Sequence, residues 1–185
     1  DAVKTAIELC LKKEFDGMIT LPISKESFNL GGYNYPGHTE MLSKLTSSGD
    51  TVMILYSKEF SVALVTGHIP VSKVSKALNE KLLIKKIITV NNSLVKNFGI
   101  KNPKIAVLSL NPHAGDGGLI GKEEQDIISP VIEEMNSIGF NLRGPFASDG
   151  YFANKSYKRF DITIAMYHDQ GLIPFKMISF DKGVN

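Results

Sequence analysis

Three histidines follow apolar, strand-like runs of this 185-residue chain, and they are the residues whose type and spacing most directly suggest chemistry. His68 follows the run 61–66, His113 the run 104–110 and His168 the run 161–166. Because ligands bind beyond the carboxyl ends of strands in open α/β sheets, we expect these imidazoles at one sheet edge, with His38 there or close by. A divalent-metal site is one interpretation of this pattern, since imidazole nitrogens bind transition metals. The alternative is that each histidine is a turn residue without a ligand.

The neighbours of these histidines favour a site over a set of unrelated turns. Glycine residues lie near all three histidines and prolines near His68 and His113, and such residues form tight turns and let the backbone approach a ligand closely. Asp116 and Asp169 lie close in sequence to His113 and His168. We expect these carboxylates to accept ring N–H groups and orient the imidazoles.

The elements that must position these residues can be read from the hydrophobic periodicity. It predicts helices at 3–11, 39–45 and 71–78, one from the cap Asn79 to Gly99, and one at 122–138 closed by Gly139. Strands are predicted at 18–23, 51–56, 61–66, 104–110 and 161–166. Strands that alternate with helices in this way predict an α/β fold with a mostly parallel sheet flanked by helices.

Composition excludes several classes of function. The chain is 43% hydrophobic and 22% charged, with a net charge of +2, which is ordinary for a globular domain. The lysines around 81–86 fit a solvated helix face, and aromatic residues do not interleave with basic ones, so no nucleic-acid partner is expected. No apolar run reaches eighteen residues, so no membrane partner is expected either.

Cysteine usage and the two chain ends point to a location and to a longer protein. Cys10 is the single cysteine, which rules out an internal disulfide and fits a reducing cytoplasm. No signal-peptide pattern is present. The chain starts at Asp1 and stops abruptly at Asn185, so we expect it to be a piece of a longer protein.

Three long segments carry a resemblance to a known family. They read Gly-His-Thr-Glu at 37–40, Leu-Asn-Pro-His-Ala-Gly-Asp-Gly-Gly at 110–118 and Ala-Met-Tyr-His-Asp-Gln-Gly at 165–171. Together they resemble the 4-hydroxythreonine-4-phosphate dehydrogenases of pyridoxal 5'-phosphate (vitamin B6) biosynthesis. The segments 20–25 and 182–185 also look like this family. The resemblance runs in order through essentially the whole chain.

The resemblance implies a fold, an assembly and a set of site residues. The fold would be like that of isocitrate and isopropylmalate dehydrogenases, with two α/β domains and a cleft between them. Residues 1–36 would belong to the first domain and its crossover, and residues 37–185 to the second. The enzyme would be a homodimer with a metal at the subunit interface, and both subunits would supply ligands. The implied ligands are His68, His113 and His168; the implied substrate contacts are His38, Thr39, Lys176 and Asn185.

The implied reaction is the NAD-linked, or less favoured NADP-linked, oxidation of 4-phosphooxy-threonine. Its product, 2-amino-3-oxo-4-phosphooxybutanoate, decarboxylates to 3-amino-2-oxopropyl phosphate. A divalent cation on the substrate hydroxyl lowers its pKa and stabilises the alkoxide that develops as hydride leaves. Zn²⁺ or Co²⁺ suits three nitrogen ligands best, whereas Mg²⁺ would need oxygen ligands from substrate or water.

Three further residues are candidates for catalysis. Lys176 follows the His168 segment and is expected to bind the phosphate or, if desolvated, to act as a base. Asp169 and Asp149 are expected to handle a proton or to orient the site, although a simple turn role fits Asp149 equally well. Gly150 departs from the family pattern, where a hydroxyl residue is usual.

Family members are longer than this chain at both ends. The additional C-terminal part would carry a phosphate-binding arginine and much of the dinucleotide site. No Gly-x-Gly-x-x-Gly fingerprint is present, as the family's different cofactor site leads us to expect.

Two rival functions stay open at this point. A sister dehydrogenase acting on 4-phospho-threonate or 4-phospho-erythronate would use the same three histidines. A rival of another class is a non-catalytic metal-binding or oligomerisation module.

Overall fold

A computed structural model describes residues 2–20, 30–32, 35, 38–46 and 51–184 of the chain, with the side chains of residues 38–40 excepted. The chain divides into two compact units, Asp1–Thr51 and Val52–Asn185. The domain assignment of residues 1–36 and 37–185 concerns the complete protein and stays a prediction. No helix among the described residues is long and apolar enough to cross a membrane.

The first unit contains two helices, α1 (Ala2–Leu11) and α2 (His38–Leu45). Both were predicted from helical spacing, and they bury Ile7 and Met41 respectively. The buried strand predicted at 18–23 is wrong for its described part. Residues 18–20 form no strand and Ile19 is fully exposed, while residues 21–23 lie outside the described residues. An apolar run forms a strand only where it finds a neighbour to pair with.

The second unit is built on a five-stranded sheet. Its strands are β1 (Ile54–Leu55), β2 (Val62–Leu64), β3 (Lys104–Leu108), β4 (Asn141–Phe146) and β5 (Ile162–Ala165). The order across the sheet is β1-β2-β5-β3-β4. Only β1 pairs antiparallel; β2, β5, β3 and β4 run parallel. The predicted α/β class with a mostly parallel sheet is therefore confirmed, whereas the two-domain arrangement stays an expectation.

Helices connect these strands. They are a short 3₁₀ turn (Val71–Lys73) leading into α3 (Val74–Ala77), α4 (Glu80–Phe98), a π turn (Glu124–Ile128) leading into α5 (Ser129–Ser137), α6 (Ser148–Ala153), a 3₁₀ turn (Ser156–Arg159) and α7 (His168–Ser179). The predicted ends of α4 are confirmed. The Asn79 side chain accepts from the Leu82 amide at 3.0 Å, and Gly99 closes the helix at φ 70°.

The sheet separates two apolar layers. Alternate strand residues face opposite sides: Ala63, Ile105 and Ile164 join a cluster with α4 and α5. Leu64 and Ala106 join a second cluster rich in aromatic rings, which includes Phe60, Tyr151, Tyr157 and Phe175. Each fully buried aliphatic side chain contributes about 1.5–3 kcal/mol. The apolar runs at 61–66, 104–110 and 161–166 thus contain strands covered on both faces, β2, β3 and β5.

β4, α6, α7 and the 3₁₀ turn Ser156–Arg159 were not predicted, and two helices were predicted differently. The helix predicted at 71–78 is a 3₁₀ turn followed by α3. β4 was missed because it contains polar residues, Gly144 and Pro145, and only Leu142 is deeply buried. α6 and α7 were missed because they are short or contain Gly171 and Pro174. The single helix predicted at 122–138 is a π turn followed by α5.

Tyr151, which belongs to the second apolar layer, links α6 to β5. Its hydroxyl lies 2.7 Å from the Thr163 Oγ1 atom on β5. Burial raises the pKa of Tyr151 to about 12, so the phenol stays neutral and keeps this hydrogen bond at ordinary pH. Its role is therefore to fasten α6 to the sheet.

Candidate functional site

The three predicted ligand histidines follow three adjacent parallel strands. β5 lies between β2 and β3 in the sheet, so the carboxyl ends of all three strands share one edge. His68 follows β2, His113 follows β3, and His168 is the first residue of α7 after β5. The shared edge was predicted from the sequence and is confirmed for these three histidines.

His68 and His168 form a pair at this edge. Their ring centroids lie 5.3 Å apart, with 46° between the ring planes. Two imidazoles that bind one tetrahedral ion through nitrogens at roughly 2.0–2.1 Å have ring centres about 5 Å apart, so this pair fits one metal ion. The two rings border a cavity of about 200 Å³. Its remaining lining residues are Gly67, Ile69, Val71, Val74, Tyr167 and Asp169.

Asp169 holds the imidazole of His168. The Asp169 Oδ1 atom lies 2.7 Å from His168 Nδ1, which is the contact expected from the sequence. A proton on Nδ1, donated to this carboxylate, leaves the Nε2 lone pair available for a metal. No hydrogen bond joins Asp116 to a histidine among the described residues. The orienting role expected of Asp116 therefore has no such contact to support it.

His113 lies in a left-handed turn, Pro112–Gly118, and is exposed to solvent. Residues 113–117 all have positive φ, with values of 51° at His113, 53° at Ala114 and 45° at Asp116. A non-glycine residue in this region costs roughly 1–2 kcal/mol, so the turn is strained. Within the described residues no three His, Cys, Asp or Glu side chains come together to hold an ion. The chain thus pairs His68 with His168 and leaves His113 apart.

A second cavity, of about 340 Å³, lies beside the first and shares Tyr167 and Asp169 with it. Its other lining residues are Ser148, Asp149, Phe152, Gln170, Ile173, Pro174 and Met177. Asp149, in the first turn of α6, therefore faces the same space as Asp169. Lys176 is exposed on α7 and is not among the residues that border this cavity. The two adjoining cavities therefore share Tyr167 and Asp169. The histidine pair borders one cavity, and Asp149 and an apolar wall border the other.

The remaining predicted substrate contacts cannot be placed at this site. His38 and Thr39 begin α2, but their side chains lie outside the described part of the chain. Asn185 also lies outside the described residues. Its neighbour Val184 bridges to Tyr56, with N–H···O distances of 2.8 and 3.0 Å.

Gln170 was missed in the sequence, although it stands inside a segment that carried the resemblance. It is buried, and its Oε1 atom accepts from the Met166 amide at 2.6 Å. Its Nε2 atom donates to the Ser109 carbonyl at 2.6 Å and to Ser148 Oγ at 2.8 Å. One side chain thus joins the ends of β5 and β3 to the start of α6. Its place inside the specific segment 165–171 was the signal that could have revealed it.

A family model decides the relationship of this chain to known proteins. The model described as "Pyridoxal phosphate biosynthetic protein PdxA" matches residues 1–185. The chain belongs to the PdxA family. The resemblance seen in the sequence is therefore confirmed, and the histidine pair and its cavity are features of a PdxA-family chain.

Two curated relatives of this PdxA-family chain bear different names. A 4-hydroxythreonine-4-phosphate dehydrogenase of Bacteroides thetaiotaomicron is 44% identical over 100% of this chain and 51% of the relative. A D-threonate 4-phosphate dehydrogenase of Salmonella typhimurium is 40% identical over 99% of this chain and 56% of the relative. The chain spans about half the length of the relatives it matches.

A solved structure agrees with the fold. The 4-hydroxythreonine-4-phosphate dehydrogenase of Klebsiella pneumoniae superposes with a TM-score of 0.87 at 36% identity, covering 95% of this chain and 53% of that one. The α/β architecture with a mostly parallel sheet is thus that of a PdxA-family protein.

Proposed function

We propose that this chain provides the metal-binding part of a 4-hydroxythreonine-4-phosphate dehydrogenase. The reaction is the oxidation of 4-phosphooxy-threonine to 2-amino-3-oxo-4-phosphooxybutanoate, with hydride passing to NAD, or to NADP in the less favoured case. The product then loses carbon dioxide to give 3-amino-2-oxopropyl phosphate for pyridoxal 5'-phosphate synthesis in the cytoplasm. The observation that carries this proposal is the His68–His168 pair at the strand ends of a PdxA-family chain.

The donor set supports a divalent transition metal. Two imidazoles lie at a separation that fits one ion, and Asp169 orients one of them. When bound, such an ion supplies a Lewis acid that lowers the pKa of the substrate hydroxyl. Zn²⁺ and Co²⁺ suit nitrogen ligands, and Mg²⁺ would need further oxygen ligands.

A homodimer completes the ligand set in this proposal. One subunit brings two histidines together, and among its described residues no third His, Cys, Asp or Glu is placed to complete a set of metal ligands with them. The partner subunit's His113 would supply the third nitrogen. An exposed histidine in a surface turn is suited to reach a second copy of the chain.

The other candidate residues take roles that follow from their chemistry. Asp149 and Asp169 border one cavity, so either carboxylate can accept the proton that leaves the substrate hydroxyl. Lys176 binds an anionic substrate group as a point charge. His38, Thr39 and Asn185 are proposed as further substrate contacts.

Substrate turnover tests the proposal. The complete protein, purified with its metal, is given 4-phosphooxy-threonine and NAD, and NADH absorbance is followed together with released carbon dioxide. We expect stoichiometric NADH and carbon dioxide. Turnover with D-threonate 4-phosphate alone would contradict the first assignment.

The second candidate is the sister activity on 4-phospho-threonate or 4-phospho-erythronate. It is favoured by the 40% identity to a D-threonate 4-phosphate dehydrogenase, which is close to the 44% found for a 4-hydroxythreonine-4-phosphate dehydrogenase. The two substrates differ by an amino group against a hydroxyl, so comparison of their kcat/KM values separates the two assignments.

A non-catalytic metal-binding or oligomerisation module is the rival from another class. Metal analysis and oligomeric state do not distinguish it, because a module could also bind metal as a dimer. The decisive measurement is NADH formation by the metal-loaded dimer with each phosphorylated substrate. A dimer that binds one metal ion per site and turns over neither substrate would support the module.

A further inference from the structure

Glu124 is a buried carboxylate that the proposed mechanism does not use. Its side chain is 2% exposed, and it is the one buried Asp, Glu, Lys, Arg or His in the part of the chain that the structure describes. It stands in the π turn that precedes α5. Because a buried charge is costly without partners, its surroundings show what it does.

The partners of Glu124 all belong to the segment that leads into the His113 turn. Its Oε1 atom accepts from the backbone amides of Leu110 and Asn111, both at 2.7 Å. Its Oε2 atom accepts from the Asn111 side-chain amide at 2.9 Å. The chain has left the ladder of β3 at Leu108, so these two N–H groups need partners outside the sheet.

Glu123 reinforces the same contact from the neighbouring position. Its Oε2 atom accepts from the Asn111 side-chain amide at 2.7 Å, and its Oε1 atom accepts from Ser75. These hydrogen bonds, that of Ser75 first, hold the pKa of Glu123 below its usual value. Asn111 is therefore held by two carboxylates at the point where the left-handed turn begins.

Glu124 also lies close to the part of the turn that follows His113. Gly115 is buried, and a Cβ atom built on it would lie 2.7 Å from the Glu124 Oε2 atom and 2.7 Å from the Gly121 carbonyl oxygen. The carboxylate therefore binds the backbone amides of Leu110 and Asn111 before His113 and occupies the space that a side chain at position 115 would need after it. His113 itself stays exposed.

We propose that Glu124 is a positioning residue, which fixes the backbone of the strained turn and so holds His113 in place as a metal ligand. The role of His113 rests on the proposed function; the fixing of the turn does not. A left-handed run with three non-glycine residues relaxes toward ordinary φ unless its surroundings prevent it. The carboxylate supplies that constraint through three donors on one segment.

Amide hydrogen exchange tests the fixing of the turn without reference to metal. In the complete protein, Glu124→Ala is expected to raise exchange at Leu110 and Asn111 at least about tenfold. Glu124→Gln keeps one acceptor oxygen for both backbone amides, so its effect is expected to be smaller, and it remains informative if the alanine variant fails to fold. Glu133→Gln, an exposed change on α5, is the matched control and should leave exchange unchanged. Unchanged exchange at Leu110 and Asn111 in folded Glu124→Ala protein, or in Glu124→Gln protein if the alanine variant does not fold, would overturn the proposal.

Co²⁺ titration tests the consequence for His113. Glu124→Ala is expected to weaken Co²⁺ binding about 10–100-fold, as loss of an outer contact of a ligand does. Ile87→Val, a core change in α4, destabilises the fold without touching the turn and should leave Co²⁺ affinity unchanged. Faster exchange with unchanged Co²⁺ affinity would overturn the positioning of His113. A wild-type protein that binds no Co²⁺ would instead count against the proposed function, while the exchange result still decides the fixing of the turn.

Discussion

The two parts of the candidate metal site are held in different ways. His68 lies beyond the end of β2 at Leu64, His168 lies beyond the end of β5 at Ala165, and their rings lie 5.3 Å apart. His113 instead stands in a left-handed turn, exposed, with φ at 51°. The first pair is positioned by the packed sheet, whereas the third ligand is positioned by a strained backbone that polar contacts hold. We infer that the pair and the third ligand can be weakened separately.

The anchoring of His168 shows what sheet packing supplies. It begins α7, whose residues Gly171, Leu172 and Phe175 are buried against the sheet and the aromatic layer. No comparable apolar anchor lies in the turn 112–118, where Gly115 is the one buried residue. The turn therefore depends on its backbone conformation and on Glu124.

The largest expected effect comes from removing the ligands. His68→Ala, His113→Ala and His168→Ala should each lower kcat/KM by more than about 100-fold, beyond the 10–100-fold typical of outer contacts, with the fold nearly intact. Metal content and circular dichroism of the complete protein check this. His113→Ala should retain more metal than the other two variants, since it leaves the pair in place. Wild-type metal content and turnover in His113→Ala would contradict the three-ligand site.

A smaller effect is expected from the residue that orients His168. Asp169→Asn weakens the hydrogen bond to His168 Nδ1 and should reduce metal affinity about 10–100-fold. Competition with a coloured chelator measures this. Asp116→Asn is the control, because that carboxylate has no histidine contact among the described residues. Equal losses in the two variants would contradict a specific role for Asp169.

Packing of α7 can be tested at Gly171. A Cβ atom there would lie 2.8 Å from Leu64 Cδ2 and 2.9 Å from Val62 Cγ2, so Gly171→Ala forces these side chains or the helix to shift. We expect a loss of about 1–3 kcal/mol in the free energy of unfolding, measured by denaturant titration. Gly150→Ala in α6 has open space and should be neutral or slightly stabilising. An unaffected Gly171→Ala protein would show that packing does not fix His168.

The smallest effect is expected from relieving the backbone strain in the left-handed turn, Pro112–Gly118. Ala114 has φ 53°, so Ala114→Gly removes a left-handed penalty of roughly 1–2 kcal/mol from the folded state. Glycine also raises the conformational entropy of the unfolded chain, which lowers the free energy of unfolding by about 0.4–1 kcal/mol. The net result should be a gain of up to about 1 kcal/mol in the free energy of unfolding. Ala6→Gly in the middle of α1 should lower it instead, by roughly 0.5–1 kcal/mol. If Ala114→Gly is as destabilising as Ala6→Gly, the turn is not strained.

Local patterns predicted much of the fold. The helix from Glu80 to Phe98 was predicted with both ends, because Asn79 and Gly99 act through contacts within their own turn. β4 and α7 were missed, because pairing with β3 and packing on the sheet overcome the weak propensities of Gly144 and Pro174. Such contacts join residues far apart in the sequence, which periodicity does not reveal.

The sequence by itself determined the α/β class, the family and the positions of three histidines after three apolar runs. These follow from local periodicity and from long specific segments. Only the tertiary structure decided which histidines meet, because the sheet order β2-β5-β3 and the start of α7 set that distance. It also decided that His113 stands apart in a left-handed turn and that Gln170 and Glu124 fasten the strand ends. Apart from the Met166 amide, 4 residues from Gln170, the partners of these side chains lie 13 to 61 residues away in the chain, and folding alone brings them together.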